Sequence, residues 1–113
     1  MHEVALASSL LQLVLDNARQ QGARAVKRVV VTIGTLSHVE PRALAQAFTS
    51  ASMGTLAGEA ELMIEEPAGS AWCFDCGDTV PLAKLGDDCP RCGGGKLVVN
   101  GGDEMRLKAL EVL

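Results

Sequence analysis

Four cysteines constrain this chain more than any other feature. Cys73-Phe-Asp-Cys76 and Cys89-Pro-Arg-Cys92 make a C-x2-C-x12-C-x2-C pattern, and no other cysteine is present. Each C-x-x-C turn aims two sulfurs at one point, and two such knuckles complete a tetrahedral thiolate site. The spacer is slightly shorter than the usual four-cysteine zinc spacing, yet long enough for an out-and-back hairpin. Gly77 and Gly93 follow the second cysteine of each pair, where a tight knuckle often requires positive φ. Four thiolates leave no open position for water, so Cys73, Cys76, Cys89 and Cys92 are expected to hold a structural Zn(2+). Three other readings compete. Two disulfides need an oxidising compartment. A redox C-x-x-C usually occurs once, beside a βαβ pattern. A rubredoxin-like iron site uses a similar Cys-Pro-x-Cys-Gly knuckle.

The rest of the chain must supply a core without many rings. Its 113 residues are 48% hydrophobic but only 3% aromatic. That suits one small domain, or a small domain plus a metal-stapled module, packed with Leu, Val, Ala and Ile. The formal charge is −4. The cysteine module itself sets Lys84, Arg91 and Lys96 against Asp75, Asp78, Asp87 and Asp88. A ribbon that grips nucleic acid carries a basic surface, so nucleic acid is disfavoured. Val4 to Leu15 is apolar, but no Lys or Arg precedes it and Asp16, Asn17 and Arg19 follow in helical phase, unlike a signal peptide. No run approaches a membrane span. A reducing cytoplasm, which keeps four thiols available for metal, is the expected location.

Hydrophobic periodicity places the elements. Leu6, Leu10, Leu13, Val14 and Ala18 make a helical stripe from Val4 to about Gln21, with Gly22 as its stop. Lys27 to Ile33 alternates as a strand, with Val29, Val31 and Ile33 on one face. A second helix follows. Ser37 and Glu40 fit a capping box, whereas Pro41 fits the first helical position three residues later; the second placement is preferred. Leu44, Ala47, Phe48 and Ala51 form its stripe. Ala60 to Glu66 reads as a strand with Leu62 and Ile64 inward. Glu104 to Leu113 reads as a long strand whose apolar phase changes between Leu107 and Leu110, as at a bulge or in a strand covered on both sides. Pro67-Ala68-Gly69-Ser70 and Asn100-Gly101-Gly102 mark boundaries. The expected fold is α/β (α+β): a small sheet covered by two helices, from 1–67 and 103–113, with a zinc-ribbon-like module at 68–102 inserted before the last strand. Trp72 is expected to shield the metal site.

The amino terminus offers a second metal signal. In Met1-His2-Glu3 the terminal amine, the intervening amide nitrogen and a ring nitrogen of His2 can close adjacent chelate rings on one ion. A planar, nitrogen-rich array suits Ni(II) or Cu(II). Glu3 could contribute through its backbone nitrogen or its carboxylate, or simply complement the helix dipole. His38 and Glu40 sit together before the second helix. The ordinary account is an exposed loop histidine and a helix-start carboxylate. The functional account places Glu40 near the amino terminus as an oxygen donor to that metal or a partner of a ligand. No phosphate-binding loop, spare nucleophile or acid–base constellation is evident, so no enzyme is expected.

Together, Met1-His2-Glu3, Gly34-Thr-Leu-Ser-His-Val-Glu40, the four cysteines and Gly101-Gly-Asp-Glu104 before a Leu-Glu-Val strand resemble the HypA/HybF family, the nickel metallochaperones of [NiFe]-hydrogenase maturation. The resemblance spans essentially the whole chain. It implies a nickel domain bearing the amino terminus and a separate zinc domain. Nickel ligation is then centred on His2, with the amine of Met1 and the amides of His2 and Glu3 as further donors, and with Glu40 close by in some members. Some archaeal members add a histidine from the zinc module; this chain has none there. The implied partners are a nickel-dependent maturation GTPase and the hydrogenase large subunit, with urease served by certain members. A weak homodimer is a further expected association, and neither nucleic acid nor membrane is expected. The rival function is a zinc-ribbon adaptor or nucleic-acid-binding module without nickel.

Overall fold

A computed structural model describes residues 2–113. The elements run α1 (His2–Gln20), β1 (Val26–Ile33), α2 (Pro41–Ser52), β2 (Glu61–Glu65), β3 (Ser70–Cys73), β4 (Asp78–Pro81), β5 (Leu97–Gly101) and β6 (Met105–Val112). Two helices and two small sheets make an α+β fold. The sheets are ordered β2-β1-β6 and β4-β3-β5. Backbone contacts divide the chain into two compact units. The first comprises Met1–Val31, Val39–Ile64 and Arg106–Leu113; the second comprises Thr32–His38 and Glu65–Met105.

In the first unit, α1 begins at His2, two residues earlier than its apolar stripe suggests. It ends in a Schellman motif. Gly22 takes φ 66°, its N–H donates to Arg19 O at 3.0 Å, and the Ala23 N–H donates to Ala18 O at 3.0 Å. These bonds satisfy carbonyls that the last turn would leave bare. Ala7, Leu10, Val14, Leu15 and Ala18 are the buried face. Leu13, counted in the stripe, is 47% exposed, whereas Leu15 is buried. The buried face is thus rotated from the expected stripe, running through Ala7 and Leu15 where Leu6 and Leu13 were expected. α2 starts with Pro41 directly after its cap, as preferred. Leu44, Phe48 and Ser52 are its buried positions, while Ala51 is exposed. Val26, Val29 and Val31 of β1 add fully or nearly buried side chains. Leu62 and Ile64 are the less exposed positions of β2. Bonds from Arg24 N–H to Leu113 O and from Gly34 N–H to Glu104 O flank β1 and run β6 antiparallel to it. The less exposed positions of β6 change phase across Lys108 and Ala109, both exposed, where the apolar pattern shifts.

The second unit is a three-stranded antiparallel sheet. Cys73 pairs with Asp78 and Leu97, and Ala71 with Val80 and Val99. Its apolar core is small. One cluster is Leu36, Ala71 and Leu82, with Leu97 and Val99 against it. The other is Cys73, Val80 and Cys89, again with Leu97. Leu36 comes from the segment after β1, and its N–H donates to Gly102 O at 2.7 Å. A β-carbon on Gly34 would run into the Gly102 carbonyl, and one on Gly102, at φ 83°, into the Gly69 backbone. Three glycines from three chain segments therefore let backbones touch where no side chain fits. Gly34→Ala is expected to destabilise the protein by roughly 2–3 kcal/mol through overpacking against backbone that cannot rotate away; a thermal melt of the variant measures this.

Candidate metal centres

The four sulfurs converge. All four Sγ atoms lie within 4.8 Å of one another. Cys73 Sγ is 3.7 Å from Cys92 Sγ, and Cys76 Sγ is 3.8 Å from Cys89 Sγ. A tetrahedral ion with bonds of about 2.3 Å would space its sulfurs by about 3.8 Å, so the cluster already has the size of a thiolate metal site. All four cysteines are free of disulfides.

Both knuckles are built alike. The Gly77 N–H donates to Cys73 O at 2.8 Å, and the Gly93 N–H donates to Cys89 O at 2.8 Å. Gly77 and Gly93 take φ 66° and 74°, the left-handed turn that the sequence positions imply. Backbone N–H groups then point at sulfur: Cys76 to Cys73, Arg91 to Cys89 and Gly94 to Cys92, each at 3.4 Å. Such donors favour thiolate over thiol. At Cys89 the backbone hydrogen bonds, from Cys92 first and also from Arg91, bring the thiol down to about 6. At Cys76 the hydrogen bond with the Cys92 side chain, with burial among the other sulfurs, pushes it up to about 12. The close sulfurs thus pull in opposite directions, Cys89 toward thiolate and Cys76 toward thiol, because adjacent thiolates repel. A divalent ion removes that conflict. Cys73 and Cys89 are buried, and Val80 and Leu97 cover them. Trp72 does not. It points away from the neighbouring Ala71 and Cys73, as strand alternation demands, and is 38% exposed. Arg91 closes the outside of the second knuckle with an ion pair to Asp78 at 3.1 Å.

The amino-terminal candidates lie in the first unit. His2 occupies the first turn of α1, and its side chain is 57% exposed. Its Nε2 is 3.2 Å from Glu3 Oε2. The Glu3 side chain is only 13% exposed, and its Oε2 also accepts from the Glu40 N–H at 3.2 Å. That backbone donor, chiefly, holds the Glu3 carboxyl below the usual carboxylate range. Glu40 caps α2: its Oε2 accepts from the Ala43 N–H at 2.7 Å. His2, Glu3 and Glu40, with Glu3 and Glu40 separated by 37 positions, therefore form one linked group. The capping-box alternative is not formed, since Ser37 Oγ donates to Gly34 O instead. His38 is exposed, belongs to the second unit and takes φ 63°, unusual for a non-glycine residue. Met1 lies outside the described residues, and so does the geometry of any amine donor. The Glu3–Glu40 bond was not legible in the sequence; the only hint was that both carboxylates stand at helix starts.

The fold and the thiol cluster define a small, two-unit metal-binding protein. Comparison with known proteins makes that specific. A family model described as "Hydrogenase/urease nickel incorporation, metallochaperone, hypA" matches residues 1–112. A hydrogenase maturation factor HypA from Rhodopseudomonas palustris (strain BisB5) is 46% identical over 112 residues, 99% of each chain. One from Xanthobacter autotrophicus is 46% identical over 113 residues, the full length of both. The solution structure of the Ni metallochaperone HypA from Helicobacter pylori superposes with a TM-score of 0.70 at 30% identity, covering 98% of this chain and 97% of that one. A second HypA solution structure gives 0.73 at 32% identity, covering 100% and 97%. The chain belongs to the HypA family, the nickel-incorporation metallochaperones of hydrogenase maturation. No helix among the described residues is long and apolar enough to cross a membrane.

Proposed function

We propose that this chain is a non-enzymatic cytoplasmic carrier. It binds Ni(II) at its amino terminus and passes it, with a partner GTPase, to the [NiFe]-hydrogenase large subunit. The nickel donors in this reading are the amine of Met1, the imidazole of His2 and the backbone amides of His2 and Glu3, with Glu40 nearby. The nickel-binding part is 1–67 with 103–113. The part at 68–102 holds Zn(2+) on Cys73, Cys76, Cys89 and Cys92 as a structural ion.

One observation carries the nickel assignment. His2 opens α1 with an exposed ring, at the helix end whose first N–H groups have no intrahelical acceptor. Those amides lie beside the imidazole, and a nitrogen-rich array of amide and ring donors suits Ni(II). The four-thiolate set suits zinc and leaves it closed to solvent ligands, so the zinc shapes a module rather than performing chemistry. Weak self-association and contact with the GTPase fit a carrier whose metal must leave on contact with an acceptor.

The test is hydrogenase maturation at limiting nickel in cells lacking this chain, with transfer to the GTPase followed in vitro. Maturation is expected to fall severely and to recover with added nickel or with the restored gene. Equal maturation with and without the chain would defeat the carrier role.

A further inference from the structure

We infer that the Glu3 carboxylate is a positioning residue: it holds the His2 ring so that Nδ1 faces the nickel, and does not bind the metal itself. This deepens the nickel reading above and rests on it. The argument begins with ring size. A metal bound to the His2 amide nitrogen closes a six-membered ring through Cα, Cβ, Cγ and Nδ1, whereas Nε2 lies on the far side of the imidazole. A ring turned the wrong way loses the chelate. Something must therefore engage Nε2, and Glu3 Oε2 stands 3.2 Å from it. Metal-bound histidines generally use the other ring nitrogen in this way, toward a carboxylate that fixes both orientation and tautomer.

The carboxylate is itself fixed. Its side chain is 13% exposed and it borders an open cavity lined by Val4, Ala43, Gln46, Ala47, Ser50 and Ala51. A carboxylate so largely withdrawn from solvent needs hydrogen bonds. The Glu40 N–H supplies one at 3.2 Å, and that amide is immobilised because the Glu40 side chain caps α2. The support runs from α2 through the Glu40 amide to Glu3 Oε2 and then to His2 Nε2. A carboxylate held by the Glu40 N–H and lying against His2 Nε2 is poorly placed to leave them for the metal, which separates it from the backbone amide of the same residue.

Two measurements on the full-length, untagged protein test this. The first is 13C relaxation of the His2 Cε1–H in metal-free protein, which reads ring order without nickel. The second is nickel titration by calorimetry. Glu3→Ala is expected to free the ring and weaken nickel binding by about 10–100-fold. Glu3→Gln keeps a carbonyl acceptor for both donors but loses the charge. It is expected to retain ring order and most of the affinity. Circular dichroism confirms that both variants keep α1. Unchanged ring order in Glu3→Ala would overturn the positioning role, as would a freed ring with unchanged affinity. A Glu3→Gln protein with an ordered ring but affinity as poor as Glu3→Ala would make the carboxylate a direct ligand and also overturn it. Failure of the underlying nickel reading has a separate signature: a His2→Ala protein that binds nickel like wild type.

Discussion

Nickel titration of untagged protein is expected to show one specific site that disappears in His2→Ala and in a protein extended by a single residue before Met1. The extension converts the terminal amine to an amide and shifts the chelate out of register. The substitution removes the imidazole. Either change takes a principal donor from a planar array, so affinity should fall at least about 100-fold, a loss of roughly 3 kcal/mol or more. His2 is exposed at the start of α1 and contributes nothing to the buried face of that helix. Zinc content and thermal stability should therefore stay at wild-type values. Nickel must displace protons from its nitrogen donors, so affinity is expected to rise with pH. Glu40→Ala should do less, about tenfold. Its Oε2 already serves Ala43 N–H, so its influence reaches the metal through the start of α2. Wild-type affinity in the extended protein would exclude the amine, and wild-type affinity in His2→Ala would move the site elsewhere.

Removal of the thiolate ion is expected to unfold the second unit while the first persists. The apolar clusters there contain three buried residues each, two of the six being the cysteines Cys73 and Cys89. Cores of that size do not order a module alone. A structural zinc contributes on the order of 10 kcal/mol to such a module at neutral pH. Cys76→Ala, Cys92→Ala or a strong chelator should thus abolish amide protection between Pro67 and Gly102. The structure extends the effect: Leu36 packs in this core and its N–H bonds to Gly102, so protection at Leu36 should vanish as well. The α1 and α2 amides should remain protected. Acidification should act in the same direction, since protons compete with the ion for thiolates. Metal analysis should give one zinc per chain and a colourless protein. Retention of native amide protection after complete metal removal would end the structural role, and iron in the purified protein would replace zinc in it.

Much of this protein is decided within a few residues along the chain. The knuckles need only Cys-x-x-Cys followed by Gly77 or Gly93, because the turn that aims two sulfurs together is local and its left-handed residue is a glycine. Gly22 ends α1 and Pro41 begins α2 for equally local reasons, an unsatisfied carbonyl in one case and a fixed φ in the other. Alternation in β1 and β2 follows from the strand pleat. Other facts depend on which surfaces meet. Leu13 and Leu15 are chemically identical, and only packing in the first unit buries one and exposes the other. Trp72 is apolar enough for a core, yet the register that buries Cys73 turns it outward. The 32–38 segment groups with the cysteine-bearing unit because Gly34, Gly69 and Gly102 allow backbones to touch, a coincidence of three distant glycines that no window of sequence contains. The Glu3–Glu40 bond is of the same kind. Each residue alone reads as a helix-start carboxylate. The fold brings one's oxygen to the other's amide across 37 positions because α1 and α2 pack against each other, and hydrogen bonds form between groups that packing has brought into reach.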